Sequence, residues 1–143
     1  MLRRLSIALL LGIMLLFTGC RAYTLTDELP VLIDPQTQLP EITAIEVTRV
    51  ADGSTVTLTE IDDLNNMMLQ VDGIRGTKTK EESARFTENY PVLYTIDFYK
   101  EDTVMPTLYI CGEEEFYLNG YSWLAVRGGM DLWYLDSLFP AAE

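Results

Sequence analysis

Asn119-Gly120 lies between Phe116-Tyr117-Leu118 and a second strand-like run from Tyr121 to Val126, and it is the strongest local constraint on how this chain folds. Both central residues of a type I′ turn need positive φ, which asparagine and glycine tolerate best, so the pair predicts a two-residue hairpin. That loop length sets Leu118 opposite Tyr121 and Phe116 opposite Trp123, all four on one face of a sheet. The same period of two recurs upstream. Tyr94, Ile96 and Phe98 alternate with Thr95, Asp97 and Tyr99, and Lys100-Glu101-Asp102 turns into residues 104–111, where Pro106 marks an edge or bulge. Gly112 to Glu114 turns again.

Nearer the N-terminus, Ile45 and Val47 alternate with Glu46 and Thr48, Asp52-Gly53 supplies a turn, and Val56 and Leu58 alternate with Thr55 and Thr57. Thr59 and Asp62 then form a variant capping box for a helix with Ile61, Leu64, Met68 and Val71 on its apolar stripe, ended by Gly73. Residues 75–91 are polar and read as a long loop with room for one helical turn between Lys80 and Arg85. A last helix carries Leu132, Leu135 and Phe139 before Pro140 stops it. The expected fold is a single small α+β domain: an antiparallel sheet built from an N-terminal hairpin and a C-terminal meander, with two helices packed on one face.

The first twenty residues have a different logic. Arg3-Arg4, an apolar run from Leu5 to Phe17 and then Thr18-Gly19-Cys20 follow the order of a bacterial signal peptide, and Leu16-Phe17-Thr18-Gly19-Cys20 resembles a lipoprotein lipobox. The run is too short to span a bilayer, which takes ~20 apolar residues as a helix. The resemblance implies a diacylglyceryl group on the Cys20 sulfur and cleavage between Gly19 and Cys20. Residues 1–19 are then a signal peptide, residues 20–40 a lipid-anchored tether with three prolines, and residues 41–143 the folded domain. An uncleaved N-terminal anchor, or an ordinary secretory signal that happens to end in cysteine, is the competing reading. Residues flanking Arg3-Arg4 fit a twin-arginine signal poorly, which leaves general secretion. As a coil, the tether would hold the domain roughly 25 Å from the bilayer.

Removing residues 1–19 takes the formal charge from −12 to −14, with 8 basic against 22 acidic residues. A field of that sign repels phosphate backbones, so nucleic acid is not an expected partner. Cys111 is the one other cysteine, which leaves no internal disulfide for the domain. The chain has no histidine, which removes Ser-His-Asp and Cys-His catalysis and histidine-ligated zinc. Neither a P-loop, a G-x-G-x-x-G nor an EF-hand loop occurs, and no catalytic residue, cofactor or metal is assigned. Asp62-Asp63, Asp97 and Glu113-Glu114-Glu115 are the carboxylates that a cell-envelope hydrolase working without histidine would have to use.

Leu39 to Val47, Thr77-Lys78 to Ser83, and Tyr94 to Tyr99 followed by Thr107 to Ile110 resemble small lipoprotein domains of Gram-positive Firmicutes whose function is uncharacterised. The resemblance implies a surface lipoprotein on the extracytoplasmic face of the cell membrane, held to the bilayer by diacylglyceryl Cys20. The aromatic residues of the second half are the best lead to a binding surface. Trp133 lies far round its helix from the Leu132-Leu135-Phe139 stripe. With Lys78, Lys80 and Arg85 of the polar loop, it is a candidate contact for a surface protein or wall component. A non-enzymatic binding or accessory module is therefore the expected function, with the hydrolase as the alternative. Labelled palmitate fed to cells expressing the full chain should enter the protein and be lost in Cys20→Ala, together with membrane retention; equal label and retention in both would overturn the lipobox reading.

Overall fold

A computed structural model describes residues 22–29 and 41–140. Residues 1–21, which include the expected signal sequence with Gly19 and Cys20, residues 30–40 and the last three residues lie outside these. In chain order the elements are β1 (Tyr23–Thr24), a 3-10 turn (Leu25–Glu28), β2 (Ala44–Arg49), β3 (Ser54–Leu58), α1 (Ile61–Asp72), β4 (Arg75–Lys80) and α2 (Ser83–Asn89). They continue with β5 (Tyr94–Lys100), β6 (Thr103–Val104), β7 (Leu108–Ile110), β8 (Glu115–Leu118), β9 (Tyr121–Arg127) and α3 (Leu132–Ser137).

Tight turns set the register. Asn119 and Gly120 have φ of 51° and 85°, and the hairpin they close pairs Leu118 with Tyr121 and Phe116 with Trp123 as the sequence requires. At the Asp52-Gly53 turn Arg49 pairs with Ser54, and the Ser54 amide donates to the Asp52 carboxylate at 3.0 Å. All strands join one antiparallel sheet in the order β1-β4-β9-β8-β7-β5-β2-β3, with β6 beside β7 on the edge of β5. Pro106 falls in the break between β6 and β7, where no ladder amide is needed.

The alternation sorts the side chains into two layers. Ile45, Val47, Ile96, Phe98, Leu108, Ile110, Phe116, Leu118 and Trp123 share the main core with Leu64, Met67, Met68 and Val71 of α1 and Leu135 of α3. Cys111 and Tyr117 alternate with these residues and pack instead with Phe86 of α2. The domain is thus α+β with α1 and α3 covering one face as expected. A third helix lies on the other.

That third helix corrects the reading of residues 75–91 as a loop. β4 fills the first part, and its core-facing positions are occupied by Gly76 and Lys78, so no apolar alternation was visible. Gly76 is required by close packing: a Cβ there would stand 2.3 Å from the Leu124 carbonyl oxygen. α2 has one buried residue, Phe86, which is too little for an amphipathic stripe. The start of α1 also differs. Glu60, not Thr59, is the N-cap and makes no side-chain cap bond, and Ile61 is half exposed while Met67 takes its place in the core.

The segment read as tether contributes to the domain in its described part. Tyr23 pairs with Gly76 and Thr24 with Arg75, the Leu25 amide donates to the Ile74 carbonyl at 3.0 Å, and Leu25 and Leu29 are buried in the main core. Two leucines four apart on a single turn give little periodicity to read. Replacing a fully buried leucine by alanine costs about 2–5 kcal/mol, whereas surface changes stay within about 0.5 kcal/mol. Urea unfolding of Leu25→Ala should show the large loss and Leu69→Ala, at an exposed site of α1, the small one; a neutral Leu25→Ala would detach this segment from the core.

Candidate functional site

Strand direction divides the sheet into two ends. Lys80 at the end of β4 pairs with Tyr121, beside the Asn119-Gly120 turn, while Arg49, Tyr94 and Ile110 pair across the opposite end. Each end holds a concave surface.

At the first end the chain leaves β4 and turns into α2. The Glu81 amide donates to the Gly120 carbonyl at 3.2 Å, and the Tyr117 hydroxyl donates to the Glu81 carbonyl at 2.9 Å, which fixes the corner. Phe86 stacks on Tyr90 and Tyr117 with ring centroids 5.0 and 6.0 Å apart, holding α2 against the sheet. The resulting open groove has a volume of about 810 Å³ and is lined by Lys80, Glu81, Glu82, Arg85, Tyr117 and Gly120. Arg85 Nε lies 3.8 Å from Glu81 Oε1, with the arginine largely exposed, a pairing of little energetic weight. Lys80 is exposed and makes no ion pair among the described residues.

Lys78, two residues earlier, behaves differently. Its ammonium lies 4.6 Å from the Tyr23 ring centroid, 4.8 Å from that of Tyr121 and 5.7 Å from that of Trp123. Aromatic faces attract a cation through their quadrupole, so Lys78 is held inward as a structural group. Trp123 itself is fully buried, and its indole N–H has no hydrogen-bond partner among the described residues.

The second end is organised by Arg49. Its Nη2 donates to Asp52 Oδ2 at 2.6 Å, its Nη1 stands 3.9 Å from Asp136 Oδ1, and its guanidinium carbon lies 4.5 Å from the Phe139 ring centroid. The Tyr94 hydroxyl donates to the Asp136 carboxylate. Burial, reinforced by that carboxylate, pushes the Tyr94 phenol up to about 12, so it stays a donor throughout the physiological range. The hydrogen bonds from Arg49 and from the Ser54 amide hold Asp52 well below the usual carboxylate range. This network pins α3 to the β2–β3 hairpin and to β5. Beside it is a cleft of about 390 Å³ lined by Arg49, Val50, Leu93, Tyr94, Leu132 and Asp136. Asp131 starts α3 by accepting from the Tyr134 amide at 3.1 Å, and this short, capped helix presents Trp133 at 79% exposure.

Lys80 and Arg85 therefore share one groove, Lys78 is turned into the sheet, and Trp133 stands on a helix that packs on the opposite face. The four candidate contacts do not form one surface. Among the carboxylates, Asp62 and Asp63 are exposed on α1, Glu113 and Glu114 are exposed in a turn, and Asp97 accepts from the Thr107 hydroxyl. No cluster of three or more His, Cys, Asp or Glu residues with metal-binding geometry occurs among the described residues. The Arg49–Tyr94–Asp136 network was not readable in advance, because its members come from three distant segments and none belongs to a motif.

No family model matches this sequence, no curated protein matches it, and no solved structure matches the fold. Cys111 follows β7 as a small buried residue, and burial, with Glu115 nearby, pushes its thiol up to about 11. It is protonated at neutral pH. Alkylation of Cys111 at pH 8 in the folded Cys20→Ala protein should run at least about 100-fold slower than in the urea-unfolded chain, since thiolate fraction and access both fall; comparable rates would show an open, activated thiol.

Proposed function

We propose that this chain is an extracytoplasmic lipoprotein, anchored to the cell membrane through diacylglyceryl Cys20, whose domain is a non-enzymatic binding or accessory module for a surface protein or wall component. One observation carries the binding reading. Trp133 is 79% exposed on a helix whose Leu132 and Asp136 line the second cleft, and the cleft adds the exposed side chains of Val50 and Leu93. Apolar side chains left in water around a concavity are a standing source of binding free energy, and tryptophan is the residue most enriched in interface hot spots. The Arg49 network gives this end a rigid frame, which limits the entropy lost when a partner docks.

The test is cross-linking in intact cells, comparing wild type, Trp133→Ala and Leu93→Ser after circular dichroism has confirmed that each folds. A hot spot worth about 2 kcal/mol or more predicts that Trp133→Ala lowers partner recovery by at least tenfold. Equal recovery would remove the cleft as the contact surface. Turnover of a wall or peptide substrate by the purified protein would replace the module reading with the hydrolase.

A further inference from the structure

The strand order ends in β1 on one side and in β3 on the other, and only the second is long enough to template a further strand. β3 pairs with β2 alone among the described residues. Bonding sides alternate along an antiparallel strand. Within the hairpin the Arg49 carbonyl accepts from the Gly53 amide at 2.9 Å, while the Val50 amide donates the other way, to the Leu93 carbonyl, at 2.9 Å. Arg49, Val47 and Ile45 therefore bond toward β3, and their partners Ser54, Val56 and Leu58 bond back. Thr55 and Thr57 are left with their amides and carbonyls aimed at the open side. Native edges are blunted by lysine, proline, a bulge or an inward-pointing charge. Ser54-Thr55-Val56-Thr57-Leu58 has none of these, and its five pairs with β2 run without a register shift.

The two faces beside this edge differ. On the inner side Val56 packs against the main core, Leu58 is buried, and Ile61, three residues beyond the strand, is half exposed. On the outer side Thr57 stands opposite Glu46 and Glu46 opposite Asp97, one row across β3, β2 and β5. Like charges directly opposite each other are destabilising, and neither carboxylate forms an ion pair among the described residues. Arg49 of β2 and Lys100 of β5 are committed to Asp52 and Glu41. We infer that β3 takes up an extended peptide segment of another protein as a further strand, its residues alternating between apolar, on the Val56 side, and basic, on the Thr57–Glu46 side. Main-chain bonds to Thr55 and Thr57 supply the affinity, and the alternate side chains supply the choice of sequence. Glu46 lies two strand spacings, ~9.6 Å, from the incoming backbone, so a long basic side chain lies over Thr57 with its charge toward the carboxylates. A second copy of this chain fits worse: copies of formal charge −12 repel, and antiparallel pairing centred on Val56 sets Asp52 of one against Glu60 of the other. The surface uses none of the residues that line the Trp133 cleft, and the inference needs neither that contact nor the lipid anchor.

The experiment adds a short synthetic peptide of alternating valine and lysine to the isotope-labelled full chain in neutral detergent. Deuterium exchange at the Thr55 and Thr57 amides should slow at least about tenfold, while Val56 and Leu58, already bonded to β2, change little. In the added strand the lysines stand opposite Thr55 and Thr57, so their amides face β3 and the valine amides face away. Methylating the lysine amides should therefore weaken binding at least about tenfold, and methylating the valine amides should leave it within about twofold. Glu46→Gln should weaken binding at least about threefold, and a peptide with glutamate in place of lysine should not bind. Equal affinity of the two methylated peptides, or no slowing at Thr55 and Thr57, would overturn strand addition. Unchanged affinity in Glu46→Gln would overturn the preference for a basic segment. Slow exchange at both threonines before any peptide is added would show an edge already covered, by a second copy where the sedimenting mass is doubled and by this chain's own residues where it is not, and either would overturn the peptide as occupant.

Discussion

A cation over three aromatic rings holds together the part of the sheet on which everything else depends. β4 must sit between β1 and β9, yet it offers the core only Gly76 and Lys78. Gly76 lets the Leu124 backbone approach, and Lys78 lays its ammonium against Tyr23, Tyr121 and Trp123. The rings come from β1 and β9, the strands on either side, so one side chain ties all three together. Long lysine stems cover apolar surface while the charged end seeks a polar or π-electron environment, which is how a lysine can face a core without leaving a naked charge there. Tyr23 and Trp123 also meet edge to face at 6.5 Å, strengthening the same junction.

The same junction explains where the sequence was legible and where it was not. Hairpins whose turns need positive φ announce themselves, as at Asn119-Gly120, and the strands they join alternate because one side is buried by α1 and α3. β4 has no such signature: its core-facing positions are a glycine and a lysine, and its other face carries threonines, so a central strand reads as a polar loop. β1 fails for the opposite reason, since two residues are too few to show a period. α2 rests on Phe86 alone. Each of these elements is stabilised by partners distant in sequence, and tertiary packing overrides what local pattern can report.

The candidate site divides along similar lines. Exposure of Trp133 followed from helical geometry, because its angle from the Leu132-Leu135-Phe139 stripe is local information. The inward turn of Lys78 did not, since it depends on a tyrosine more than fifty positions earlier and on a strand more than forty later. Arg49, Tyr94 and Asp136 had no reason to be grouped until the register placed β2 beside β5 and the last helix beyond both.

A tether's length decides what an anchored domain can do, and the pairing of β1 shortens the one expected here. A coil of twenty residues would let the domain sample many orientations, so that any face could meet a partner and none would be privileged. On the proposed lipid anchor, three residues rather than twenty would separate Cys20 from the strand held at Tyr23, which removes most of that freedom. The orientational entropy would then be lost once, in the folding of β1 onto β4, and not again each time a partner binds the Trp133 end.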